Sequence, residues 1–237
     1  MVTEKLAKGR KTTTSILPLE SGDRLTRSEF ERRYQAMPHL NKAELVEGVV
    51  YVSSPVRATS HGEPHSYLMM WVAMYAVATP GVHPHDNTTV RLDVDNEPQP
   101  DALLRLDEHL GGTSRISADD YIEGAPEFIG EIAASSAAYD VHDKLRAYRR
   151  NRVQEYLVWR VHDQRLDWWQ WQDGVYEPLA ADAQGMVRSV VFPGLWLHIP
   201  ALLNGNLAEV VSTLQMGLAS PEHEAFAARL QAGNPAR

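Results

Sequence analysis

Residues 127–133, Glu-Phe-Ile-Gly-Glu-Ile-Ala, have the apolar run of a buried strand with a glutamate inside it. Glu131 stands among Phe128, Ile129 and Ile132, where a carboxylate is costly to bury unless something pairs with it. If that strand is buried, another segment has to bring Glu131 a partner. Two nearby features suit that task. Pro100-Asp101 heads a second apolar strand, residues 101–106, and Asp140-x-x-x-Lys144 opens the helix that follows the first strand. Two acids from neighbouring strands with a lysine close by suit hydrolysis of a phosphodiester. Carboxylates hold Mg²⁺ or Mn²⁺ through oxygen. Such an ion polarises the phosphate and lowers the pKa of water, and a desolvated lysine can hold or activate that water and stabilise developing charge. Each feature alone has a plainer reading. A strand-leading aspartate is commonly a turn or cap residue, and a strand glutamate can face solvent at a sheet edge. An i,i+4 Asp–Lys pair is commonly a surface salt bridge worth about 0.3–0.5 kcal/mol. The order and setting of the three carry the argument.

The rest of the chain reads as an α/β domain. Thr26-x-x-Glu29 has the pattern of a capping box and opens a helix to about residue 37. Residues 43–52 form two strands turning at Glu47-Gly48, with β-branched residues at 49, 50 and 52. Ser60-x-x-Glu63 is a second capping-box pattern, and Leu68, Trp71, Val72, Tyr75 and Ala76 follow at helical spacing until Pro80-Gly81. Strands are expected at 88–94, 101–106, 127–133, 155–160 and 165–171, and a loop over 107–125. Helices are expected at 137–150, at 207–217 and after Ser220-Pro221. The order implies a mixed sheet with helices packed on it. The expected division is a tail over 1–21, a catalytic domain over 22–203 and a helical extension over 204–237.

Composition narrows the class. At 43% hydrophobic residues the chain can build a core, and it has no run of eighteen apolar residues, so no transmembrane helix is expected. The basic N-terminus lacks the apolar stretch of a secretory signal. Cysteine is absent, which removes disulfides and thiolate zinc sites and makes a cytoplasmic location the default. The net charge of −8 argues against strong non-specific DNA binding. Lys144, Arg146, Arg149, Arg150 and Arg152 nevertheless cluster within nine positions.

The run Glu44-Leu-Val-Glu47-Gly48-Val-Val-Tyr-Val-Ser-Ser-Pro55 is followed by His61 and Pro100-Asp101. Then come Gly124-Ala-Pro126-Glu-Phe-Ile-Gly-Glu131-Ile-Ala-Ala-Ser135-Ser136, Asp140-x-x-x-Lys144-x-x-x-Tyr148 and Val153-Gln-Glu155-Tyr156. In this order they resemble the Uma-two family, bacterial proteins with a PD-(D/E)XK nuclease fold, over about residues 25–200. The resemblance implies a restriction-endonuclease-like mixed β-sheet flanked by helices, with additional C-terminal strands and helices. It implies an endonuclease using Mg²⁺ or Mn²⁺ on nucleic acid, DNA above RNA. Asp101 and Glu131 would be the metal-binding acids, with the carbonyl of Ile132 as a further oxygen. Lys144 would be the catalytic lysine, moved from the strand onto the helix. Glu47 would be the N-terminal acid, holding a second metal or its waters. His61 matches a recurrent histidine near the second helix, and Asp140 would orient Lys144 or a metal-held water. Tyr148 and Tyr156 read as packing residues. The chain departs from the family at Ala133, where the standard motif has its lysine, and in Ala134-Ser135-Ser136, where a serine-proline pair is usual. Arg152, Leu157 and Arg160 replace a glycine, a tryptophan and an aspartate. Activity then depends on Lys144 reaching the site.

Two other readings stay open. One is a histidine-metal hydrolase using His61, His65, His83, His85 and Asp86, although Gly62 stands where a zincin needs glutamate. The other is a nuclease fold kept as a binding or regulatory module without turnover. Trp159, Trp168, Trp169 and Trp171 cluster in two strands. Core packing or a homodimer interface suits them better than stacking on nucleobases.

Overall fold

The computed structural model describes residues 16–53, 55, 57–134 and 139–233. Most of the expected N-terminal tail, together with Ser54, Ser135 and Ser136 of the family pattern, lies outside the described residues. Helix α1 (Arg27–Gln35) leads into a hairpin of β1 (Ala43–Val46) and β2 (Val49–Val52). Its two turn residues, Glu47 and Gly48, have φ of 52° and 72°, the handedness a two-residue hairpin turn requires. A π-helical turn, Ala58–Gly62, runs into α2 (Glu63–Ala78). Then come β3 (Val82–Asp86), β4 (Val90–Arg91), β5 (Ala102–Leu106), β6 (Ser114–Ile116), β7 (Ile122–Gly124) and β8 (Phe128–Ala133). A second π-helical turn, Asp140–Lys144, opens α3 (Leu145–Arg150). β9 (Glu155–Arg160), β10 (Arg165–Gln172), β11 (Val175–Pro178), β12 (Met186–Arg188) and β13 (Trp196–His198) follow. The described chain closes with α4 (Ile199–Leu203), α5 (Leu207–Leu218) and α6 (Pro221–Gly233).

Six strands form the main sheet in the order β11-β10-β9-β8-β5-β3. β8 and β9 are parallel, and the other neighbours are antiparallel. The parallel pair needs a crossover, and α3 lies within it. β8 is buried at every position, so both of its faces are covered. Its period-two alternation sends Phe128 and Ile132 into one core, with Leu68 and Trp71 of α2 and Leu214, Phe226 and Leu230 of the last helices. Ile129 and Ala133 enter the other core, with Leu103, Tyr148, Tyr156 and Val158. Glu131 shares the parity of Ile129 and Ala133, so it faces α3. Gly130 faces α2, where an added Cβ would lie 2.9 Å from Leu68 Cδ2. The β1–β2 hairpin and α1 enclose a third core around Phe30, Leu45 and Val50.

Several local expectations are corrected. Val82–Asp86 is a strand although Pro84 interrupts it, because β3 is the sheet edge, where a missing N–H does little harm. The expected 88–94 strand shortens to Val90–Arg91, and β6 and β7 lie within the expected loop over 107–125. Neither capping box forms. Thr26 makes no side-chain cap bond, and Glu29 binds Arg32 and Arg33 instead. Ser60 lies inside the π-helical turn. Trp159 and Trp168 are buried in the core of this chain, and Trp71, Phe128 and Trp168 meet edge-on at 5.6–6.0 Å between ring centroids. Replacing Phe128 by alanine removes the middle of that triad. We expect a loss of about 3–5 kcal/mol in urea denaturation. A loss under about 1 kcal/mol would show that the triad does not bind α2 to the sheet.

Candidate active site

The partner that Glu131 requires is Lys144. Its ammonium lies 2.9 Å from Glu131 Oε1 and 2.9 Å from Glu44 Oε1, and 3.8 Å from Asp140 Oδ1. Tyr148 donates its hydroxyl hydrogen to the same Glu131 oxygen at 2.8 Å. Asp140, Lys144 and Tyr148 are spaced four apart, so the turn and α3 bring all three toward β8. Tyr156 of β9 fixes the turn by donating to the Asp140 carbonyl at 2.9 Å. Beside this group, Asp101 precedes β5 and accepts the Ile132 N–H at its Oδ2, 2.8 Å away. His61 Nε2 lies 3.3 Å from the same Oδ2, and Lys42 Nζ lies 3.7 Å from Oδ1. Each π-helical turn thus supplies site residues, His61 from one and Asp140 and Lys144 from the other. Such turns are frequent at functional sites.

Four carboxyl groups, Glu44, Asp101, Glu131 and Asp140, are each at most 5% exposed; Glu44, Glu131 and Asp140 surround the Lys144 ammonium, itself 3% exposed, and Asp101 stands beside them. The electrostatics follow. Burial works against the Lys144 charge, but Glu131 and Glu44 outweigh it and raise its pKa well above the ordinary lysine value. Burial pushes the Glu131 carboxyl up; Lys144 opposes this, and Asp101, Asp140 and Glu44 reinforce it, for a result of about 8. The two ends of this contact differ because Lys144 faces several carboxylates, whereas Glu131 faces one ammonium and three like charges. Asp101 is the opposite case. Burial raises it, yet His61, Lys42 and Lys144 together hold its pKa well below the usual aspartate value. Two acids with opposed pKa shifts thus stand side by side in one site.

The fold gathers Asp101, Glu131, Lys144, Asp140 and His61, and Ile132 adds its N–H. Glu47 is not part of the group. It occupies the hairpin turn, where its N–H donates to Asn96 and its carboxylate pairs with Arg150 at 3.1 Å. The acid that this hairpin delivers to Lys144 is Glu44, whose Oε1 also accepts the Gln99 N–H at 2.7 Å. The signal for Glu44 was present in Ala-Glu-Leu-Val, a glutamate in a fully buried strand, the same anomaly that marks Glu131. Lys42 carried no such signal. The histidines diverge. His65 Nε2 faces the Asp101 carbonyl at 2.9 Å and Asp86 at 3.0 Å, and His83 pairs with Asp107. His85 accepts from Arg105, and burial first, then Arg105, lowers its pKa to about 4. Among the described residues, no three His, Asp or Glu side chains form a metal-ligand arrangement. That holds for the acids of the cluster as much as for the histidines.

The sequence model of the Uma2 family, described as "putative restriction endonuclease", matches residues 27–200. The chain belongs to that family. The match spans both π-helical turns, β5, β8, α3 and β9, which are the elements that build the site. A solved structure of a putative nuclease belonging to DUF820, from Anabaena variabilis, superposes with a TM-score of 0.51 at 12% identity. The superposition covers 77% of this chain and 97% of that one, and it shows a shared fold. No curated protein matches the chain. Among the described residues, no helix is long and apolar enough to cross a membrane.

Removing Lys144 would leave Glu131 and Glu44 buried without their cation. We expect Lys144→Met to cost about 3–5 kcal/mol in chemical denaturation. Adding Glu131→Gln should recover part of that loss. Strictly additive losses in the double variant would show that the two side chains do not interact energetically.

Proposed function

We propose that this protein is a Mg²⁺- or Mn²⁺-dependent endonuclease that hydrolyses phosphodiester bonds in nucleic acid, with DNA as the favoured substrate. The observation that carries the reading is the grouping of four buried carboxyl groups, three of them on the Lys144 ammonium and Asp101 beside them. The carboxylates of the cluster are oxygen donors of the kind a hard divalent cation takes, with the His61 imidazole against Asp101, and no thiolate is available. Asp101 and Glu131 would hold the ion, with the Ile132 carbonyl as the further oxygen. The family description supports a nuclease, and so does the likeness to the Anabaena protein, itself described as a nuclease.

A bound Mg²⁺ or Mn²⁺ supplies Lewis acidity and lowers the pKa of water. The chain supplies position and charge. Asp101, held low by its neighbours, is ionised, and a bound cation would share it with the Ile132 N–H, His61 and Lys42. Glu131 is held by Lys144 and Tyr148 through one oxygen, which fixes its orientation. Lys144 stays protonated, so it acts as the counter-ion that spaces Glu131 and Glu44 and does not take a proton from water. Ile132 fixes Asp101 through its N–H, and Asp140 steadies Lys144. A nuclease fold without turnover is the second reading. The bridging of Glu131 and Glu44 by Lys144, with no ligand set among the described residues, favours it.

The test is cleavage of supercoiled, linear and single-stranded DNA and of RNA with Mg²⁺ or Mn²⁺. We expect metal-dependent cutting that falls by about a hundredfold or more in Asp101→Asn, the order of loss seen when one preorganised electrostatic contact is removed. Absence of cutting on every substrate, or cutting that survives the substitution, would contradict the reading and favour the silent module.

A further inference from the structure

We propose that Lys42, not Lys144, is the cation that contacts the phosphate of the substrate. The assignment rests on the nuclease reading and names the group by which that site grips its substrate. Lys144 is 3% exposed, and two of its three N–H groups face the Glu131 and Glu44 oxygens at 2.9 Å. Turning toward a substrate would strip both carboxylates of their cation inside the core, so Lys144 is fixed in place.

Lys42 has the opposite setting. It immediately precedes β1, its side chain is 24% exposed, and it stands at the Asp101 edge of the cluster. It donates one hydrogen bond, to Asn87 Oδ1 at 2.8 Å. Its 3.7 Å separation from Asp101 Oδ1 is an electrostatic contact longer than a hydrogen bond. An ammonium has three donors, so Lys42 retains capacity for an anion.

The support for Lys42 is ordered. Its carbonyl accepts the Ser53 N–H across the β1–β2 hairpin. Asn87, which has φ of 48°, donates from its Nδ2 to Asp86 at 2.7 Å. Asp86 in turn faces His65 of α2, and His65 meets the Asp101 carbonyl. One chain of contacts therefore ties the Lys42 ammonium, β3, α2 and the Asp101 main chain into a fixed relation. A cation held in this way beside a metal-binding aspartate is preorganised for a phosphate oxygen. His61 and the Ile132 N–H lie against Asp101 Oδ2, the other carboxylate oxygen from the one Lys42 approaches, so Lys42 has its own side of the carboxylate.

The experiment uses the full chain and its Lys42→Met and Lys42→Arg variants. Binding of fluorescein-labelled duplex DNA is followed by anisotropy across a salt series, with Ca²⁺ in place of Mg²⁺. Mg²⁺-dependent cleavage and thermal stability are measured in parallel. One lost phosphate contact should lower the slope of log affinity against log salt by about 0.9 in Lys42→Met. Affinity and cleavage should fall about tenfold with an unchanged melting temperature, and Lys42→Arg should restore part of both. A native slope and native affinity in Lys42→Met would overturn the assignment while leaving the nuclease reading intact, and so would a loss confined to stability. A native chain that neither binds nor cuts DNA would overturn the nuclease reading, and this assignment with it.

Discussion

The contact between Lys144 and the carboxylates of Glu131 and Glu44 is the constraint that the site half of this fold has to satisfy. Glu131 lies in the middle of a strand covered on both faces, and Glu44 lies in a hairpin strand buried at every position. Neither could be buried alone. Meeting them requires a helix to start at the end of β8 and turn its first residues back over the sheet. It also requires the hairpin to be docked against the same spot. The π-helical turn at Asp140–Lys144, the crossover to β9 and the packing of Tyr148 and Tyr156 are the local solution to that requirement.

The two faces of the main sheet have different tasks. One is a hydrophobic core closed by α2, α5 and α6 around the Trp71, Phe128 and Trp168 rings. The other holds an apolar floor under the charged cluster. A single alternation along β8 separates them, with Phe128 and Ile132 on one side and Ile129, Glu131 and Ala133 on the other. This division lets the protein hold a charged site on one face of the sheet while the larger hydrophobic core fills the other.

Much of this was legible in the sequence. Glu131 and Asp101 stood out because apolar neighbours make a charge anomalous there, Lys144 only by its place after them, and the structure brings the three into one group. The two-residue hairpin was also readable, and the acid it sets against Lys144 is Glu44, with Glu47 against Arg150. Glu47 matched by position in the pattern, whereas Glu44 sits among apolar residues in a strand that only the docking of the hairpin buries on both faces. Lys42 gave no local signal, because an isolated lysine before a strand is ordinary until Asp101 and Asn87 arrive from residues far along the chain. The edge strand β3 was hidden by Pro84, which is tolerated only because of where the strand ends up in the sheet. The capping boxes failed for a related reason, since Glu29 found arginines on its own helix.

If the cluster is built for a divalent cation, that ion replaces the proton that burial otherwise places on Glu131. The folded-state pKa of Glu131 is raised from 4.5 to about 8. The metal-free protein therefore loses stability as pH rises through that window, because the unfolded chain releases the proton first. Mn²⁺ binding, which needs the ionised carboxylate, should offset the loss. The decisive measurement is the melting temperature of the native chain with and without Mn²⁺, taken from about pH 6 to about pH 9, beside Glu131→Gln. The expected result is a Mn²⁺-induced rise that is small at the acid end, grows toward pH 8 and is absent in the variant. No Mn²⁺ effect at any pH, or an equal effect in Glu131→Gln, would contradict it.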